Sequence, residues 1–252
     1  MTKTNTINLN LDRFIDCMSS DTSRPKLQSI AMLDDYLMAT DGHAAYGYQV
    51  ERGSIPAGRI DKSQITKKSE VRITSDSVMV DGAKIKFDTE RPFTQQVIDH
   101  AITNTNDMAT IIDPKGLLKL IKQFAVTTTV NPKSGRKSNR KRVLMLIDMT
   151  NGALLGRGEE SYEGEDRVVL GDCSKFIEFP RNVDNKHPIS FDYFAFNPEY
   201  LLMILKELGK ECDYITWRFN RDNSCGAYIF HDAGETDKNN LSQFYLLMPM
   251  RQ

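Results

Sequence analysis

Apolar residues recur along this chain with two different periods, and the places where the period changes divide it into elements. Leu11, Phe14, Ile15 and Met18 fall at i, i+3, i+4 and i+7, which is one face of a helix. A polar stretch over 19–23 ends that pattern, and the spacing then shortens. Residues 27–33 and 36–40 read as two short strands joined at Asp34-Asp35, and 44–50 continues as a third. Val71/Ile73, Val78/Val80 and Ile85/Phe87 alternate with polar neighbours, and Asp81-Gly82 stands where a tight hairpin turn goes. The stretch 55–66 is the place for a second helix, with Pro56 and Gly58 against it.

The order then restarts. Asp113 suits an N-cap and Pro114 the first helical position. Leu117, Leu118, Ile121 and Phe124 form the stripe to be buried, while Lys115, Lys119 and Lys122 fall at i, i+4 and i+7 on another face. A strand pair follows over 143–148 and 153–157, with Asn151-Gly152 as its turn. Asn197-Pro198 opens a helix over 199–208 that Gly209 closes. Strands over 214–219, 227–231 and 244–250 complete another meander. Helix, strands, helix, strands describes an α+β chain of two tandem domains, each with helices on one face of antiparallel sheets. The boundary is expected in Thr103-Asn104-Thr105-Asn106-Asp107, giving domains 1–105 and 106–252. The repeat is one of pattern, without matching letters.

Composition narrows the class. A hydrophobic content of 40% with 27% charged residues is that of an ordinary globular protein. No apolar run approaches the roughly 20 residues of a membrane helix, and the polar N-terminus lacks the apolar core of a signal peptide. Cys17, Cys173, Cys212 and Cys225 lack paired spacing and read as reduced thiols in a cytosol. The net charge of −1 hides segregation: Lys133 to Arg142 is densely basic and 159–166 is acidic. The basic run is either a mobile surface loop or a phosphate-contacting one. Lys115, Lys119, Lys122, Lys206 and Lys210 lie on polar faces of the two helices of the same domain. Charges spread along helix faces hold phosphates without reading bases.

Little in the chain points to catalysis. Asp41 and His43 could be metal ligands or a dyad, but only four histidines exist and none has a second at ligand spacing. Nucleophile-elbow, phosphate-loop and dinucleotide motifs are missing. The acidic run lacks calcium-loop spacing and reads as a solvated hairpin. No enzyme activity, metal or cofactor is expected. The C-terminus is unusual: Phe244 to Leu247 is β-prone and apolar, and Met248-Pro249-Met250 follows almost at the last residue. Pro249 cannot donate to a ladder, so pairing should stop there and leave flexible thioethers at the surface, as a site with several partners requires.

Phe196-Asn197-Pro198-Glu199-Tyr200-Leu201-Leu202, with the closing Tyr245-Leu246-Leu247-Met248-Pro249-Met250-Arg251-Gln252, resembles the last domain of the bacterial replicative sliding clamp, the β subunit of the replicative DNA polymerase. Residues 27–45, centred on Ala39-Thr40-Asp41-Gly42-His43, resemble that clamp's middle domain. The resemblance implies a clamp lacking the first of three domains. It implies a ring of six similar domains around duplex DNA, which two domains per chain would close as a homotrimer. It also implies a pocket for short peptides of a polymerase, clamp loader or repair protein. Arg24, Leu27, Thr40, Gly42, His43, Ala44 and Ala45 would form one side of it, and Leu246, Leu247, Met248, Pro249, Met250 and Arg251 the other. The family usually carries Arg-Leu where this chain has Ala44-Ala45, a change expected to widen the groove. The DNA face would comprise the five helix lysines with Arg136, Lys137, Arg140 and Lys141 of a lengthened loop. Bacterial cytosol, or that of a host infected by a phage with its own replication proteins, is the expected location. The rival expectation is a clamp-like adaptor that recruits replication or transcription proteins without encircling DNA.

Overall fold

The computed structural model describes residues 7–90, 95–105, 107–130, 137–142, 144–149, 151–157, 167–179, 193–219, 227–235 and 241–248. The chain packs into two units, Met1–Thr103 with Glu235–Leu246, and Asn104–Gly234 with Leu247–Gln252. The segment Glu235–Leu246 thus groups with the N-terminal part of the chain, whereas the single division near residue 105 assigns it to the second domain.

Along the chain the elements are β1 (Ile7–Asn8), α1 (Leu11–Cys17), β2 (Ser29–Met32), β3 (Tyr36–Thr40), β4 (Ala44–Gln49), β5 (Gly58–Asp61), β6 (Val71–Ile73), β7 (Val78–Val80), β8 (Ala83–Ile85) and α2 (Gln95–Asn104). There follow β9 (Asp107–Ile111), α3 (Pro114–Phe124), β10 (Val126–Val130), β11 (Lys137–Lys141), β12 (Met145–Asp148), β13 (Ala153–Arg157), β14 (Arg167–Asp172) and β15 (Ile177–Glu178). The last are β16 (Tyr193–Phe196), α4 (Pro198–Leu208), β17 (Ile215–Phe219), β18 (Tyr228–Asp232) and β19 (Gln243–Leu247).

In the first unit the strands run β19-β4-β3-β2-β5 in one sheet and β1-β6-β7-β8 in another. Asp81 and Gly82 both take left-handed backbone (φ 51° and 80°), as the tight turn between β7 and β8 requires. Helix α1 packs on β3 and β4. It buries Leu11, Phe14 and Cys17, and also Arg13, so its inner face is rotated from the one read through Ile15. Phe244 of β19 locks against β4, because its ring occupies the space a side chain at Gly47 would fill, 2.3 Å from the Cβ position. Only glycine at 47 lets the ring lie on the backbone of β4.

In the second unit the orders are β15-β9-β17-β18 and β14-β13-β12-β16, with β10-β11 as a two-stranded ribbon. Asp113 caps α3 by accepting from the Gly116 N–H at 2.8 Å, and Asn197 caps α4 by accepting from Glu199 N–H at 2.9 Å. The two helices pack together, burying Leu117 and Ile121 of α3 and Leu201, Ile204, Leu205 and Leu208 of α4. The core is aromatic where β16, β17 and β18 meet. Phe194 lies 4.1 Å from Trp217 and 4.3 Å from Tyr228, and Phe230 stacks on Trp217 at 5.9 Å.

Three expectations are corrected. Residues 55–66 are not helical: Gly58 starts β5, whose residues alternate between buried and half-buried, and only a single 3-10 turn, Lys62–Gln64, follows. The second helix is α2, which buries Ile98, Ala101 and Ile102 at helical spacing. The basic run is not all loop, since Lys137–Lys141 pairs along the whole of β10, from Val126↔Lys141 to Val130↔Lys137. The β-branched Val126-Thr127-Thr128-Thr129-Val130 favours an extended template, and the positive charges of Lys137, Arg140 and Lys141 do not prevent pairing with it. The acidic run 159–166 lies outside the described residues; β13 and β14 on either side of it pair antiparallel.

Candidate functional site

The turn from β3 to β4 is built by its own side chains. Thr40 Oγ1 donates to the Ala44 carbonyl at 2.7 Å and accepts from the Gly42 N–H at 2.9 Å. Asp41 Oδ1 accepts from the backbone N–H groups of His43 (2.8 Å) and Ala44 (2.9 Å). Gly42 has φ 94°, which favours glycine, and its open side faces Leu27 Cδ1 and Arg24 Nη1, 3.8 and 3.9 Å from a Cβ position. Arg24, Leu27, Thr40, Gly42 and His43 are therefore gathered at one end of a hairpin in the first unit. Gly42 and His43 are exposed and Leu27 half-buried, while the Arg24 side chain, 58% exposed, has Asp21 Oδ2 at 3.6 Å. Ala44 and Ala45 lie within β4 and are covered, so a groove here would be shaped by them from behind. On β19, Leu246 and Leu247 are buried and Met248 beyond it is 44% exposed. Pro249, Met250 and Arg251 lie outside the described residues.

The lysines of the second unit form two different arrays. On α3, Lys115, Lys119 and Lys122 are exposed, and none has an ion-pair partner among the described residues. On α4 the carboxylate of Glu207 holds Lys210 Nζ at 2.8 Å from each oxygen, and Lys206 Nζ lies 3.7 Å from Glu207 Oε1. Lys141 pairs with Glu199 in the first turn of α4. Arg136 and the side chains of Lys137 and Arg140 lie outside the description.

Deeper in this unit Arg218 Nε donates to His231 Nε2 at 2.9 Å, and the other ring nitrogen meets the Asp232 carbonyl at 2.7 Å. An acceptor at Nε2 and a donor at Nδ1 is a neutral imidazole. Burial pushes the His231 pKa down to about 4, with Arg218 adding to the effect and the Asp232 carbonyl opposing it. Among the described residues no cluster of His, Cys, Asp and Glu could hold a metal ion. No described helix is long and apolar enough to cross a membrane.

No family profile matches the sequence, and no curated protein matches it. Solved structures do match. The β sliding clamp of Caulobacter crescentus superposes over 100% of this chain and 67% of its own length, with TM-score 0.63 at 14% identity. The DNA polymerase III β subunit of Thermotoga maritima covers 98% of this chain and 65% of its own, with TM-score 0.62 and 14% identity. A Pseudomonas aeruginosa sliding clamp, solved with griselimycin bound, gives 98%, 66%, 0.59 and 17% in the same order. The chain has the fold of a bacterial sliding clamp. It spans about two thirds of the length of those clamps.

Within this clamp fold two groups of residues escape a reading by pattern. Arg13 is buried on α1, donates to Gln243 Oε1 and lies 5.8 Å from the ring centroid of Tyr46. Tyr46 OH donates to the same Gln243 oxygen at 2.7 Å, so one amide ties α1, β4 and β19 together. Glu207 was the more legible of the two, because Lys210 stands three residues on, the spacing that brings side chains together along a helix.

Proposed function

We propose that the protein is a DNA polymerase processivity clamp of two clamp domains, divided near residue 105. In this reading three copies close a ring around duplex DNA, and a surface pocket tethers the polymerase, its clamp loader and other partners by short peptides. The observation that carries the proposal is the sliding-clamp fold over the whole chain. Two local features support it. Lys115, Lys119 and Lys122 line up on the exposed face of α3, an arrangement suited to phosphates without base reading. The Thr40–His43 turn presents glycine backbone and half-buried Leu27 together, as an apolar peptide anchor requires. Burying one large anchor stabilises a complex by about 1.5–3 kcal/mol, enough for reversible exchange of partners. No covalent chemistry is involved: retention is topological, and contacts with DNA stay weak so that the ring slides.

The deciding experiment is retention of the protein on a nicked DNA circle through a high-salt wash, before and after the circle is linearised. Encirclement predicts that cutting the circle releases the protein. Equal retention on circle and line, or none on either, favours the adaptor that recruits partners without enclosing DNA.

A further inference from the structure

We propose that Glu207 sets how weakly the second unit holds duplex DNA, by offsetting one of the two charges of Lys206 and Lys210 that would otherwise take phosphates. This rests on the duplex-binding reading above and names the residue that tempers it. The two helices pack side by side but carry opposite balances of charge. Helix α3, Pro114–Phe124, has three lysines and no acid. Helix α4 has Glu199 and Glu207 against Lys206, with Lys210 just beyond its end.

The geometry at Glu207 is that of a held carboxylate. Its side chain is 11% exposed, against 68% for Lys206 and 56% for Lys210, so the ammonium groups reach inward to it. Lys210 meets both oxygens at 2.8 Å, a charge-assisted contact stronger than a neutral hydrogen bond. A carboxylate so covered cannot turn out to water, and a lysine that left it for a phosphate would strand its charge. A phosphate approaching α4 therefore meets two lysines that share one carboxylate and keep one net positive charge between them, whereas one approaching α3 meets lysines with no described acid on them. The grip on DNA then comes mainly from one helix of the pair. Each phosphate neutralised steepens the dependence of log affinity on log salt by about 0.9. Glu207 thus removes about one such contact, which favours a ring that slides.

The test is the affinity of wild-type and Glu207→Gln protein for a 30-base-pair duplex, read by fluorescence anisotropy from 50 to 200 mM salt. The amide keeps the shape of the side chain and removes its charge. Glu207→Gln is expected to steepen the slope by about 0.9, equivalent to about 3.5-fold more affinity lost across that range. An unchanged slope in a folded Glu207→Gln protein overturns the proposal. A second variant does not depend on that substitution folding: Lys210→Gln is expected to leave the wild-type slope within about 0.5, because Glu207 already holds this lysine by both oxygens and then passes to Lys206. A slope shallower by about 0.9 in that variant also overturns it. Wild-type protein with no salt-dependent duplex binding, matched by Glu207→Gln, overturns the clamp reading itself. Wild-type binding with an unaltered slope in Glu207→Gln overturns only the role of Glu207.

Discussion

His231 and Arg218 show how a single buried pair ties stability to pH. Both sit inside the second unit, and the arginine needs a neutral imidazole as its acceptor. In the unfolded chain this histidine has its ordinary pKa near 6.5, and in the fold burial lowers it to about 4. Between those values the unfolded state binds the extra proton, so stability is complete above pH 6.5 and falls as pH drops toward 4. The loss amounts to about 3 kcal/mol across that window. Urea melts at pH 7.5 and 4.5 check it against His231→Gln, whose amide accepts from Arg218 without titrating. The variant is expected to lose less stability than wild type over this range; equal losses would assign the acid sensitivity elsewhere. At this scale the sequence is readable where an interaction is local. The caps at Asp113 and Asn197 reach two or three residues and are visible in the letters. Arg13 is opaque because its acceptor lies 230 residues away, and burial of an arginine is decided by that partner.

Among the elements, those with strong periodicity are where the pattern puts them, including α1, α3, α4 and the β2-β3-β4 meander. The misread ones fail for identifiable reasons. Helix α2 ends in Thr103-Asn104, which reads as linker, and β9 begins at Asp107 directly after it. Strand β11 is a run of charge and polar residues whose extended form is imposed by β10. The C-terminal strand β19 leads into the segment expected to form one side of the peptide pocket. Phe244, Tyr245, Leu246 and Leu247 are its buried anchors, and the exposed Met248 begins the segment beyond them. Deleting Met248 to Gln252 removes that segment and leaves the anchors in place. Binding of the cognate polymerase's terminal peptide, measured by isothermal titration calorimetry, is expected to vanish while the melting temperature holds within about 3 °C, the shift of under 1 kcal/mol in a domain of this size. Unaltered peptide affinity would place the pocket elsewhere.

For the whole molecule, the clamp fold was legible from two short segments and an element order, although the matching clamps share only 14–18% of their letters with this chain. Folds of this kind persist through burial pattern and turn chemistry, which survive when most letters change. Of the residues expected for the peptide pocket, Pro249, Met250 and Arg251 lie outside the described residues. Arg24, Leu27, Thr40, Gly42 and His43 converge at one hairpin end. The proposed trimer rests on the arithmetic of domains: two units in this chain, where the matching clamps are about half as long again. A head-to-tail contact closes only if its rotation permits, and three two-domain chains supply six domains. Exposed Val126, Val168 and Val169 on strands of the second unit are apolar surface of the sort such a contact covers. Multi-angle light scattering on the purified protein at micromolar concentration and neutral pH tests ring closure most directly. The account predicts a particle of three chains, and a stable particle of one chain would contradict it.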